Sequence, residues 1–121
     1  MADNLSGRVA VVDDDEDVLD SFRFMLELAG FSVATYLSAA LFLANIPPDP
    51  FCLIVDHHMP VMTGLDLVAR LRDSGSGVPV VLVTAAVSPA MVAHAARVGV
   101  RQVLQKPARE ADVIAFVASC C

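Results

Sequence analysis

Four apolar runs in this chain end in residues that could do chemistry together. Val9-Ala10-Val11-Val12 leads into Asp13-Asp14, Phe51-Cys52-Leu53-Ile54-Val55 into Asp56, and Val80-Val81-Leu82-Val83 into Thr84. The fourth, Val100-Arg101-Gln102-Val103-Leu104-Gln105, ends in Lys106-Pro107. Lys and Arg together number eight, and Lys106 is the one lysine. Lysine carries a compact ammonium on a flexible stem, whereas arginine is a broad planar fork, so a small, deep anion site favours lysine. If the runs are neighbouring parallel strands, three carboxylates, a hydroxyl and an ammonium meet at one sheet edge. Asp13, Asp14 and Asp56 in one cleft repel each other, and a hard divalent cation resolves this. Mg²⁺ needs few protein carboxylates and keeps several waters. One carboxylate is then left to act as a nucleophile toward a phosphoryl group. Lys106 and Mg²⁺ would neutralise the phosphoryl oxygens and Thr84 would donate a hydrogen bond.

The elements that must position these residues alternate between strand and helix five times. Strands are expected at Arg8 to Val12, Ser32 to Tyr36, Cys52 to Val55, Val80 to Val83 and Val100 to Gln105. The first helix is expected over Asp15 to Ala29, with Val18, Leu19, Phe22, Leu26 and Ala29 at helical spacing and Gly30 as its stop. Ser38 caps a short second helix that ends before Pro47-Pro48. The loop His57 to Thr63 leads to Gly64 and a third helix through Arg72, and Ser74-Gly75-Ser76-Gly77 is a turn. Ser88-Pro89 caps and opens a fourth helix through Arg97. A last helix covers Arg109 to about Ser119. Five such units predict an α/β fold, a doubly wound five-stranded parallel sheet with helices on both faces. Ligands in such sheets bind beyond the carboxyl ends of the strands, where all the residues above lie.

Composition agrees. The chain has 121 residues, 56% of them hydrophobic, and a mean hydropathy of +0.64. This suits parallel strands covered on both faces. No apolar stretch is long enough to span a bilayer, and Met1 to Gly7 lacks the features of a signal peptide. Cys52, Cys120 and Cys121 have no metal-binding spacing, which points to reduced thiols in the cytoplasm. The net charge of −6 argues against direct contact with nucleic acid. Much of it lies in Asp13 to Asp17 and Asp20; Asp15, Glu16, Asp17 and Asp20 read as a solvated helix start. The chain is expected to be one domain over residues 1–121.

The chain resembles the receiver domain of bacterial two-component response regulators. The resemblance rests on Val11-Val12-Asp13-Asp14, on Asp56-His57-His58-Met59-Pro60 with Gly64, on Val83-Thr84-Ala85, and on Lys106-Pro107. Their order and strand-end placement agree along the whole chain. The resemblance implies a flavodoxin-like arrangement in which Asp56 accepts a phosphoryl group from a sensor histidine kinase or phosphotransfer protein. It implies that Asp14, Asp56 and the backbone carbonyl of His58 bind Mg²⁺, with Asp13 helping through water, and that Thr84 and Lys106 bind the phosphoryl group. It also implies a cis Lys106-Pro107 bond and no enzymatic activity beyond the protein's own phosphorylation and dephosphorylation. The surface of helix four, strand five and helix five would then change to regulate a downstream protein or an output domain. A homodimer through helix four and strand five is a further expectation.

Two departures from the family pattern stand out. The position three residues before the lysine, usually Tyr or Phe, is Val103. His57-His58 directly follows the acceptor, and the second residue after it influences phosphate loss. Helix four, with Ala90, Ala93, Ala95 and Ala96, is expected to present a small, smooth surface. His94 is expected at the surface, and Met59 and Met62 in packing. Two rival functions are considered: a receiver-like module that is never phosphorylated, and a phosphohydrolase with an aspartyl-phosphate intermediate. Haloacid-dehalogenase-like enzymes place two Asp two residues apart after the first strand, as Asp13 and Asp15 are, but Asp17 does not match their next position.

Overall fold

The computed structural model describes residues 7–48 and 50–120. The expectations about the first six residues and about Cys121 lie outside the described residues. Five strands, β1 (Arg8–Val12), β2 (Ser32–Tyr36), β3 (Cys52–Asp56), β4 (Val80–Thr84) and β5 (Gln102–Gln105), alternate with five helices. These are α1 (Glu16–Leu28), α2 (Ala39–Ala44), α3 (Gly64–Asp73), α4 (Pro89–Arg97) and α5 (Glu110–Cys120). The sheet is parallel throughout, in the order β2-β1-β3-β4-β5. That is the flavodoxin-like order, whose strand sequence reverses between β1 and β3 and opens a crevice there.

Side-chain alternation along the strands divides the core in two. Val9, Val11, Cys52, Ile54, Val81 and Val83 pack with Leu19, Phe22 and Leu26 of α1 and Val113, Phe116 and Val117 of α5. Ala10, Val12, Leu53, Val55, Val80 and Leu82 face the other way, onto α2, α3 and α4. Val9–Val12 of β1, Cys52–Val55 of β3 and Val80–Val83 of β4 are therefore apolar without alternation, because these stretches are covered on both faces.

Helix starts are encoded locally. Asp15 caps α1 by accepting from the backbone amides of Asp17 and Val18, and Ser38 and Ser88 cap α2 and α4 in the same manner. Thr63 and Asp66 form a reciprocal capping box on α3. Asp15 is thus a cap rather than the first helical residue. β5 is shorter than expected: Val100 and Arg101 precede it, because the turn at Gly99 (φ 80°) is closed by a bond from Val100 N to Ala95 O. No helix among the described residues is long and apolar enough to cross a membrane. Cys52 is buried in β3 and Cys120 half-buried in α5, with no disulfide among the described residues.

Candidate functional site

β1 and β3 are neighbours, so the residues that end them lie side by side at the crevice. One oxygen each of Asp13, Asp14 and Asp56 lie within 4.8 Å of one another. Asp13 and Asp56 are buried and Asp14 is exposed, so the cluster opens to solvent on one side. Lys106 reaches in from beyond β5. Its Nζ donates to Asp13 Oδ2 at 3.1 Å and stands 3.1 Å from Asp56 Oδ1. The second contact is an attraction between charges without hydrogen-bond geometry, and Asp56 Oδ1 is left with no hydrogen bond in a buried setting. The Lys106-Pro107 peptide is cis.

Three carboxylates face one ammonium, and the titration of the groups reflects that imbalance. Burial pushes the Asp13 carboxyl up and the Asp56 charge adds to this, outweighing the amide of Asp15 and the Lys106 ammonium, which favour the anion. Burial works against the Lys106 ammonium too, but the hydrogen bond to Asp13 and the charges of Asp13 and Asp56 outweigh it and the lysine is raised. The pocket welcomes a cation and strains to hold another anion. A hard divalent cation fits this donor set: carboxylate oxygens only, an unbonded buried Oδ1, and an open side where water can complete the coordination.

Thr84 is fully buried at the end of β4, but its hydroxyl is engaged within its own turn. Thr84 Oγ1 accepts from the amide of Ala86 and donates to the carbonyl of Ala86, both at 3.3 Å. It makes no hydrogen bond to Asp56 here. The loop that follows it, Ala85, Ala86 and Val87, is exposed. His58 is exposed, with its ring edge-on to His57 at 5.1 Å. Burial holds His57 below the usual histidine range, with the neighbouring His58 adding to that and the charges of Asp56 and Asp66 opposing it.

His94 is exposed, Met59 is buried and Met62 is half-buried against the core, all as expected. On α4, Ala90, Ala93 and Ala96 are exposed, but Ala95 is buried and belongs to the core, not to a smooth outer surface. The Asp13–Asp15 spacing weighed for a hydrolase does not form a pair, because the Asp15 carboxylate is spent on the end of α1. Val103 is half-buried and packs against the α3 and α4 side of the core.

Two features were not legible in the sequence. Arg72 donates to the carbonyls of Val98, Ser76 and Gly99, each at 3.0 Å, tying the end of α3 to the end of α4. Val61 has φ 72°, the one left-handed non-glycine among the described residues, and its side chain is wholly exposed. Such a conformation costs an L residue roughly 1–2 kcal/mol, and a β-branched residue is a poor choice for it. A β-branched side chain is the opposite of a turn signal, so no pattern pointed there.

Comparison with known proteins places this geometry. The response regulator receiver domain family matches residues 9–118. The transcriptional regulatory protein FixJ of Azorhizobium caulinodans is 36% identical over 110 residues, which are 90% of this chain and 52% of FixJ. The transcriptional regulatory protein PrrA of Mycobacterium tuberculosis is 37% identical over 113 residues, 93% of this chain and 48% of PrrA. The chain thus spans about half the length of these curated relatives. The crystal structure of FixJ-N superimposes with a TM-score of 0.86 at 31% identity, over 99% of this chain and 94% of that one.

Proposed function

The chain belongs to the response regulator receiver domain family of two-component systems, and from that premise we propose that Asp56 is its phosphoacceptor. Residues 1–121 act as one receiver in the cytoplasm. The observation that carries this reading is the meeting of Asp56 with Asp13, Asp14 and the one lysine at the carboxyl edge of the sheet.

The donor is a sensor histidine kinase or a phosphotransfer protein. An oxygen of Asp56 attacks phosphorus while the N–P bond to the donor imidazole breaks, and the imidazole nitrogen leaves with the bonding electron pair. Asp14, Asp56 and the carbonyl of His58 would hold Mg²⁺, with Asp13 assisting. Bound there, Mg²⁺ supplies charge neutralisation for the carboxylates and the phosphoryl oxygens. Lys106 provides a fixed ammonium for the same oxygens, already poised 3.1 Å from Asp56. Thr84 donates its hydroxyl to the phosphoryl group by leaving Ala86, which pulls on the exposed loop before α4. Val103 is too small and too restricted in rotamer to act as a sweeping switch. The change therefore passes through residues 84–97 to the α4, β5 and α5 surface, where a downstream protein, an output domain or a second copy reads it.

Incubation with acetyl phosphate and Mg²⁺, followed by intact-mass measurement, tests the reading. One added phosphoryl group is expected, absent from Asp56→Asn and in the presence of chelator. Undiminished labelling of Asp56→Asn would overturn it.

A further inference from the structure

The turn that follows Thr84 is held by side chains rather than by backbone. Among the described residues, no backbone–backbone hydrogen bond reaches Ala85, Ala86 or Val87, and all three are exposed. Two side chains take the place of such bonds. Thr84 Oγ1 accepts from the amide of Ala86 and donates to its carbonyl, both at 3.3 Å. Gln105 Nε2 donates to the carbonyl of Ala85 at 3.4 Å.

Gln105 spans from a fixed strand to a loosely held loop. It is the last residue of β5 and stands in register with Thr84. The next amide, Lys106 N, donates to Thr84 O at 2.7 Å, so the two strand ends are locked together. Lys106 in turn reaches Asp13 and Asp56. The backbone of Gln105 therefore cannot follow the loop when the loop moves. Val103, two residues earlier, is half-buried and packs into the core, so Gln105 is the β5 side chain that bonds the loop among the described residues.

The two holders do not have equal freedom. A hydroxyl has one hydrogen, so Thr84 cannot donate to a phosphoryl oxygen and to Ala86 at once. When Thr84 turns to the pocket, Gln105 is left holding the loop. Its bond is long and lies in water, which makes it weak. A weak contact suits a link that must break in every cycle.

We propose that Gln105 is a latch on the Thr84 loop, made in the unphosphorylated form and broken in the phosphorylated one. This rests on the reading of Asp56 as phosphoacceptor, and it names the side chain that sets how readily the loop answers. A contact present in one state favours that state by its own free energy. Removing it strengthens, by the same factor, the binding of any ligand that needs the other state.

Beryllofluoride in saturating Mg²⁺ is the probe, and its dissociation constant is the readout. Gln105→Met keeps the side-chain length and removes the donor. It should bind beryllofluoride roughly two- to fivefold more tightly, the effect of one weak hydrogen bond, and Gln105→Ala should match it. Binding of Mg²⁺ alone should be unchanged. In a Thr84→Val background no hydroxyl pulls the loop, so Gln105→Met should there leave beryllofluoride affinity as it is. Amide exchange at residues 85–88 of unphosphorylated Gln105→Met should shift toward that of the beryllofluoride-bound parent. Equal or weaker beryllofluoride binding by Gln105→Met, an equal gain with Mg²⁺ alone, or the same gain in the Thr84→Val background would each overturn the latch. Failure of beryllofluoride and acetyl phosphate to engage Asp56 in the parent would instead overturn the phosphoacceptor reading, and this inference with it.

Discussion

α3 and α4 pack on the same face of the sheet and are held in opposite ways. α3 buries Gly64, Leu65, Leu67, Val68 and Leu71, begins in a capping box, and abuts the Asp56 backbone. α4 buries Ala95 alone, and the loop before it is exposed. Arg72 fastens only its far end, at Val98 and Gly99. The contrast teaches a division of labour. Geometry at the acceptor is fixed by burial that would be costly to undo, while α4 has few buried apolar contacts to lose by moving. Low local burial is the physical content of a mobile element.

The largest expected effect tests the contrast itself. Leu67→Ala in α3 should lose roughly 2–5 kcal/mol of stability by opening a cavity. Val92→Ala on exposed α4 should change stability by less than about 0.5 kcal/mol. Equal losses in urea unfolding would break the comparison.

The next effect concerns the charge held by the rigid side. Mg²⁺ at about a hundred times its dissociation constant should stabilise the parent by roughly 2.7 kcal/mol, read as a rise in melting temperature. Asp13→Asn should weaken that response. The carboxyl of Asp13 is raised above 3.8 by burial first and then by the Asp56 charge. Its proton thus favours the metal-free fold, fully below pH 3.8, and that contribution is lost as pH rises through the folded value. Metal-free Asp13→Asn should accordingly be more stable than the parent at pH 7, with the gap closing as the pH falls toward 3.8. A gap that widened on acidification would contradict the account of the pocket's surplus negative charge.

Activation should sharpen the comparison. With Mg²⁺ and beryllofluoride, amide exchange should change over residues 84–97, most at the Thr84 to Ala90 end and least where Arg72 holds Val98 and Gly99. Residues 57–66 should keep their exchange outside the immediate pocket. A change confined to the Asp56 pocket would show that the α4 surface is not the output.

The smallest effect is kinetic. His58→Ala should alter the autodephosphorylation rate by a few-fold, because the exposed ring stands two residues from the acceptor and can orient or obstruct water. Rates identical to the parent from about pH 6 to 8 would assign His58 no kinetic role.

Strand number, strand type and most of the pocket were legible because they are written in local pattern. Apolar runs ending in Asp13, Asp56, Thr84 and Lys106 put the chemistry at one sheet edge once the strands are parallel. Ser38 and Ser88 announced their helices because capping needs only a side-chain oxygen and the next three amides, and Thr63, read only as the end of a loop, caps α3 in the same way. The start of β5 was misplaced because Val100 and Arg101 look like strand residues, while the turn at Gly99 commits Val100 to the end of α4.

By itself the sequence determined which residues are chemically capable, since residue type and strand-end position follow from local propensity and period. Only the tertiary structure decided what those residues meet. Strand order brought Asp13 beside Asp56, and packing turned Lys106 onto both. Long-range contacts also made α3 rigid and left α4 loose, although both are short amphipathic helices with good caps. Burial depends on what lies across the interface, and that is a property of the assembled layers rather than of any one segment.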